Sequence, residues 1–205
     1  MSIAEKLTTV AENVPKVYEA GKQAERDSFW DTFLSKGQAN SYYYAFAYNR
    51  FTDETFNPTY DIVGNSANSS VQNMFYNTTK ITDTKVTIDA RNTNHIGGLF
   101  YKASNLKTVR KIIIDSGVES GGNNAFYGCS SLENIAFEGE IAQNVSFGDS
   151  PLLSDASVDN IIEHLKDLTG ATSQTLTVHE TVYNKMVANG KDALVTAKNW
   201  ALVSK

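Results

Sequence analysis

The single cysteine of the chain is the first residue whose type and setting could support chemistry. Cys129 lies in the stretch "AFYGCSSLENIAF", between a glycine and two serines. A thiolate in a polar, exposed loop can act as a nucleophile or a metal ligand. A cysteine among small residues can equally be a small buried hydrophobe. The choice depends on whether the stretch is unique or recurs along the chain.

The other residues with catalytic or metal-binding potential form no recognisable motif. The sequence contains no G-x-S-x-G, G-x-x-x-x-G-K, H-E-x-x-H or C-x-x-C pattern. His164 and His179 have no second ligand residue four positions further on. A glycosidase needs two carboxylates about 5–10 Å apart, which a sequence alone does not reveal. We predict no catalytic residue, no cofactor and no metal, and keep a carbohydrate-active enzyme as a third hypothesis.

Composition and charge argue against several classes of function. The chain has 205 residues, of which 41% are hydrophobic and 20% charged, as is typical of a folded protein. A net charge of −5, without a cluster of more than two adjacent basic residues, argues against nucleic-acid binding. No apolar run approaches the roughly 20 residues that membrane insertion needs. The first residues lack the pattern of a secretory signal, so we expect folding in a cytoplasm.

Three segments share one pattern, which places the cysteine stretch in a series. "MFYNTTKI", "LFYKASNL" and "AFYGCSSL" each contain Phe-Tyr, with an aliphatic residue six positions after the Phe, and "SFGDSPL" is a less regular fourth copy. The predicted repeat-core residues are Phe75, Ile81, Phe100, Leu106, Phe126, Leu132, Phe147 and Leu152. Cys129 has the position of Ala103 and Thr78 in the other copies, which predicts a buried, structural role.

A β-rich run follows each of the three full copies, at 85–90, 109–115 and 133–139. Val, Ile and Phe alternate there with polar residues, as in a short half-buried strand. One strand in about every 20–29 residues is typical of leucine-rich repeats. Because one unit cannot bury its apolar face alone, such units stack into a solenoid.

The stretch "FYGCSSLENIAFEG" resembles a unit of the BspA-type leucine-rich repeats, in which an aromatic residue and a C-S-S-L segment precede a short strand. The resemblance covers about residues 74–153, which we predict to be the repeat domain. It implies a binding or surface-display module without catalytic residues, of a kind found in bacterial surface proteins and in phage proteins.

Residues 154–205 are predicted to form an α/β cap. Apolar residues at helical spacing form one face: Val158, Ile161, Ile162, Leu165 and Leu168. Ser154 or Ser157 is the expected N-cap, and Gly170 the expected stop of this helix. A strand at 175–178, a helical stretch broken near Gly190 and a final strand "WALV" are expected to follow. A repeat array needs such an end unit, apolar inside and polar outside.

The first 36 residues are predicted to be a helical segment that serves as a stalk or docking element. Its apolar positions alternate by four and three residues: Ile3, Leu7, Val10, Val14 and Val17. This spacing is compatible with the seam of a homo-oligomer, for which we favour a trimer. A helix packed back on its own domain would show the same stripe. Pro15 predicts a kink.

Residues 37–73 are rich in aromatic residues and are predicted to be an N-terminal cap or linker. Alternation would place Tyr42, Tyr44, Phe46 and Tyr48 on one side of an extended chain. The aromatic residues either cover the first turn of the solenoid or form a binding patch of Tyr42, Tyr44 and Tyr48.

The arrangement of helix, aromatic segment and repeats resembles that of phage and prophage structural proteins of Gram-positive bacteria. We predict an α+β fold built on a short, β-rich leucine-rich-repeat solenoid. The expected role is that of a non-enzymatic tail- or fibre-associated virion protein, which binds a host surface receptor or glycan, or another virion protein. A bacterial cell-surface, adhesin-like interaction module is the alternative.

Overall fold

The computed structural model of the protein describes residues 45–48, 52–53, 56, 58, 61–64 and 71–205. Within that part the chain forms seven β-strands and four helices, and all the strand pairs are parallel. The predicted mixture of helix and strand is therefore confirmed. Two sets of predicted residues lie outside the described ones: the seam (Ile3, Leu7, Val10, Val14, Val17) and the patch residues Tyr42 and Tyr44.

The first sheet takes one strand from each successive repeat. Its strands lie in chain order: β1 (Ile62–Val63), β2 (Thr87–Asp89), β3 (Thr108–Ile114) and β4 (Asn134–Gly139). Three of them fall within the β-rich runs predicted from sequence or within one residue of them. The register aligns one buried apolar residue from each strand: Ile62, Ile88, Ile112 and Phe137. The strands therefore bury one continuous apolar face, which no single repeat could bury alone.

A stack of buried phenylalanine rings runs beside this sheet through the turns that precede the strands. Neighbouring ring centroids are 5.1, 5.3, 5.9 and 4.7 Å apart along the series Phe46, Phe75, Phe100, Phe126 and Phe147. Backbone hydrogen bonds join the turns as well: Phe75 N–H donates to the Leu99 carbonyl at 2.8 Å. The stack contains Phe46 from the aromatic-rich segment, so the repeat geometry begins before the first repeat recognised from sequence.

The second sheet belongs to the C-terminal part and is also parallel. Its order is β5 (Val145–Phe147), β6 (Gln174–Val178) and β7 (Trp200–Ser204). The remaining elements are the four helices: α1 (Gly122–Ala125), α2 (Asp155–His164), α3 (Glu180–Ala188) and α4 (Lys191–Ala197). The helix break expected near Gly190 separates α3 from α4, and Gly190 adopts φ 70° there.

Helix α2 covers the outer edge of β4 with polar side chains instead of another strand. Asn160 Oδ1 accepts from the Phe137 N–H at 2.6 Å, and Asn160 Nδ2 donates to the Phe137 carbonyl at 3.3 Å. Ser157 Oγ accepts from the Ile135 N–H and donates to the Glu133 carbonyl. An uncovered strand edge would be open to pairing with another chain.

The predicted end of this helix at Gly170 is wrong. Helix α2 ends at His164, and Leu165 is already extended, forming a bridge with Ile141. Lys198 Nζ donates to three carbonyls at this end, those of Ile162, Glu163 and Leu165. The apolar spacing continued past the helix because the following segment also packs against the core.

The assignment of Leu152 to the repeat core is also wrong. Leu152 is 53% exposed, whereas its neighbour Leu153 is buried. Leu153 lies six positions after Phe147, the same spacing that the full copies show. The fourth unit therefore keeps the geometry of the repeat, although its sequence is less regular. The other predicted core residues are all buried.

Candidate binding surface

Cys129 is buried in the repeat stack, where it has a structural role. Its side chain is inaccessible to solvent, and its thiol donates a hydrogen bond to the Phe100 carbonyl, with 3.1 Å between Sγ and the oxygen. Burial raises the pKa of the thiol to about 12, so the nucleophilic thiolate is scarce at neutral pH. Thr78 makes the equivalent bond to the Phe46 carbonyl at 3.0 Å. The position therefore takes a small buried side chain, which in Thr78 and Cys129 also donates to the preceding turn.

The three histidines contact backbone groups, two of them within their own turn. His95 Nδ1 and His179 Nδ1 accept from the N–H two residues further on, at 2.9 and 3.1 Å. His164 Nδ1 lies 2.8 Å from the Gly139 carbonyl. No group of three or more His, Cys, Asp or Glu residues suited to a metal ion occurs in the described part of the chain.

Four tyrosines form a continuous row on the surface, which we call the tyrosine ladder: Tyr48, Tyr76, Tyr101 and Tyr127. Their ring centroids are 5.3, 4.8 and 4.8 Å apart, and the last three rings are nearly parallel, at 5° and 17°. The two end rings are 64% and 43% exposed, while the two middle ones are half-buried between their neighbours. The ladder runs alongside the buried phenylalanine stack.

The backbone of the repeat explains why Phe points inward and the next Tyr outward. The residue after each tyrosine adopts positive φ: 55° at Asn77, 59° at Lys102 and 74° at Gly128. The chain therefore turns sharply after each Phe-Tyr pair. The N–H of Asn77 donates to the Tyr101 carbonyl, and that of Lys102 to the Tyr127 carbonyl, both at 2.6 Å. These bonds between units fix the spacing of the rings.

The ladder ends at Tyr127, where a charged pair follows the rings. The fourth unit has Gly148 at the position after its Phe, so it adds no ring. Lys205 Nζ lies 4.9 Å from the Tyr127 ring centroid and donates to Asp149 Oδ1 at 2.6 Å. Asp149 Oδ2 accepts from the Gly128 N–H at 2.9 Å. The carboxylate thus takes the place that a tyrosine carbonyl has in the earlier units.

A shallow depression of about 410 Å³ adjoins this end of the ladder. Six residues line it: Tyr127, Gly128, Ser130, Asp149, Pro151 and His179. Partial burial alone would raise the pKa of Asp149, but the hydrogen bonds from Lys205 and Gly128 lower it below its ordinary value. The depression therefore combines an aromatic ring with an ionised carboxylate.

Comparison with known protein families accounts for this repeat architecture. The family model of the BspA-type leucine-rich repeat region matches residues 41–176 in six copies, about two thirds of the chain. The chain belongs to the BspA-type leucine-rich repeat family. Members of this family are in general non-enzymatic protein-binding modules and are often surface-associated. No curated protein matches the chain, and no solved structure does.

The BspA-type match begins at residue 41 and so includes the segment that holds Tyr48. The extended conformation expected for that segment is wrong at 45–48, which forms a turn. Phe46 is buried there and Tyr48 is exposed with φ 54°, so the two do not share a side. In this turn the N–H groups of Phe46 and Tyr48 donate to the carbonyls of Met74 and Tyr76.

The BspA-type repeats also supply the tyrosines that sequence reasoning missed. Tyr76, Tyr101 and Tyr127 belong to the three Phe-Tyr pairs, but only the Phe of each pair was assigned a role. The signal was the recurrence of Tyr itself, because stacked repeats place equivalent residues side by side. Among the described residues, no helix is long and apolar enough to span a membrane.

Proposed function

We propose that this chain is a non-catalytic binding module and that the tyrosine ladder is its contact surface. The observation that carries the proposal is a row of four adjacent tyrosine rings on the surface of a chain that belongs to a protein-binding family. Tyr combines a large apolar area with a hydroxyl and is enriched where binding energy is concentrated. A chance distribution of surface tyrosines would not place one at the equivalent position of three successive units.

The stacking of the rings favours binding because the surface is ordered before the partner arrives. Tyr76 and Tyr101 are held between neighbouring rings and on backbone that is hydrogen-bonded to the next unit. Fewer side-chain rotamers are then lost on binding, and lost rotamer freedom is a major cost of association. The ladder offers the partner ring edges and a row of hydroxyls, each a donor and an acceptor.

We further propose that the repeats form a short solenoid between two different ends. The division is that expected from sequence: a helical segment at 1–36, an aromatic cap at 37–73, repeats at 74–153 and an α/β cap at 154–205. The parallel first sheet, with one strand per repeat in chain order, supports this proposal. The 1–36 segment would join copies of the chain into a homo-oligomer, and Tyr42 and Tyr44 would contribute to binding.

Our proposal for the setting is a tail- or fibre-associated component of a phage virion. It is supported by the resemblance of the arrangement to phage structural proteins and by the stalk-like spacing of the apolar residues in the 1–36 segment. The partner would be a host surface receptor or glycan, or another virion protein. Mass spectrometry of purified particles tests this setting. Recovery of the chain only from bacterial surface fractions would favour the adhesin-like alternative.

The experiment that tests the contact surface compares two double variants in binding to intact Gram-positive cells. Tyr76→Ala with Tyr101→Ala removes the centre of the ladder, and we expect at least about a tenfold loss of affinity, as for hot-spot residues. Lys111→Ala with Glu138→Ala is the matched control, because this pair also joins two repeats, by a 2.8 Å salt bridge on the sheet. Loss of binding in the control alone would place the contact on the sheet.

A further inference from the structure

The outer face of Tyr127 is one end of the ladder, and no further ring stacks on it among the described residues. Each inner ring has neighbouring rings on both sides, but Gly148 adds none beyond Tyr127. The side chain of Lys205 fills this space. A Cβ built on Gly148 would lie 2.5 Å from Lys205 Cδ, so the glycine makes room for the lysine.

Weak contacts hold Lys205 in this position. Its side chain is 49% exposed, and exposed ion pairs contribute little to stability because water screens them. A cation over an exposed ring is likewise held weakly. The lysine stem is flexible, whereas the carboxylate it meets is fixed by the Gly128 N–H.

We propose that Tyr127 and Asp149 form a subsite for the ammonium group of a lysine side chain on the partner, and that Lys205 is an internal occupant which this lysine displaces. The subsite rests on the proposed function, since the ladder supplies the remaining contact surface. Lys205 shows the binding geometry: an ammonium over the ring and on Oδ1 of the carboxylate.

Charge and space both favour a lysine as the incoming group. Oδ2 of Asp149 accepts from the Gly128 N–H and Oδ1 accepts from Lys205, so an incoming cation would take the place of Lys205 on Oδ1. One oxygen and one ring face suit a compact ammonium, whereas a guanidinium is best held by both oxygens. The depression of about 410 Å³ leaves room for the stem, with Ser130 and Pro151 in its wall.

Titration of the isotope-labelled full chain with a lysine probe tests the subsite. The probe is Nα-acetyl-lysine methylamide, the matched control is the same compound acetylated on Nε, and the readout is the Gly128 amide signal. We expect Lys205→Ala to bind the probe about tenfold more tightly than the natural chain, because the tethered competitor is gone. Adding Asp149→Asn to that variant should abolish binding, and the neutral control should cause no saturable shift.

Three results would overturn the subsite: no saturable shift in Lys205→Ala, equal affinity for the charged and neutral compounds, or equal affinity of Lys205→Ala and the natural chain. If Asp149→Asn unfolds the chain, Tyr127→Leu on the Lys205→Ala background takes its place as the test variant. This substitution removes the ring and keeps the carboxylate. The cell-binding variants leave Tyr127 and Asp149 intact. Ladder-dependent cell binding without probe binding would therefore reject the subsite alone, and probe binding without ladder dependence would reject the proposed function.

Discussion

At the scale of single residues, Phe100 shows how much of the fold depends on the internal stack. Its ring is buried between those of Phe75 and Phe126, at 5.3 and 5.9 Å. We expect Phe100→Ala to lower the free energy of unfolding by about 3–5 kcal/mol, through lost burial and the cavity left behind. Urea denaturation measures this loss.

The neighbour Tyr101 provides the control for that measurement. Its ring belongs to the exposed ladder of the same unit, so Tyr101→Ala should cost about 1 kcal/mol, the scale of aromatic pair contacts. Equal losses in Phe100→Ala and Tyr101→Ala would contradict the division into an inner stack and an outer ladder.

The buried thiol of Cys129 predicts a particular dependence of stability on pH. Burial raises its pKa from the ordinary value of 9.0 to about 12 in the folded chain. The unfolded thiol therefore ionises first, and the contribution of Cys129 to stability is complete below about pH 9 and is lost as pH rises towards 12. The difference in unfolding free energy between the natural chain and Cys129→Ala should fall by at most about 1.4 kcal/mol per pH unit in that window. A constant difference would contradict the burial of the thiol.

At the scale of elements, the contact of α2 with β4 predicts a role for Asn160. Its side chain satisfies both the N–H and the carbonyl of Phe137. We expect Asn160→Ala to destabilise the chain by about 1–3 kcal/mol, because it leaves two backbone groups without these partners. Glu163→Ala on the exposed side of the same helix should stay within about 0.5 kcal/mol. Thermal or urea unfolding of both variants checks the prediction, and similar losses would count against edge capping by α2.

The elements divide into those that sequence could predict and those that depended on distant contacts. The strands after each Phe were predictable because alternation of apolar and polar residues indicates a short, half-buried strand. The end of α2 was not, because its carbonyls bond to Lys198 and Leu165 bridges to Ile141, and both partners are distant in sequence. Strand β5 was missed because its three residues carry too short a pattern.

At the scale of the whole molecule, the first 36 residues predict an oligomer. Their four-three spacing predicts that the full chain is a trimer or another small oligomer and that a chain starting at residue 40 is a monomer. Light scattering measures both masses against the monomer mass of 22.5 kDa. Monomers in both cases would contradict the stalk and favour a segment that packs on its own domain or binds a different partner.

The proposed binding surface was only partly predictable, because it is a property of the assembled repeats. The recurrence of Phe-Tyr could have indicated Tyr76, Tyr101 and Tyr127, since neighbouring copies place equivalent residues side by side. No local pattern indicates the contact of Lys205 with Asp149, which are 56 positions apart in sequence. That contact follows from the parallel second sheet, which carries the end of β7 to the last rung of the ladder.

Photo-crosslinking tests most directly the claim that the tyrosine ladder contacts the partner. The amino acid p-benzoylphenylalanine would replace Tyr101, aromatic for aromatic, and in a matched chain it would replace Lys111 on the sheet. After irradiation on intact target cells, we predict a crosslinked product from the Tyr101 position and none from the Lys111 position. Products from the Lys111 position alone would show that the sheet makes the contact and would contradict the central claim.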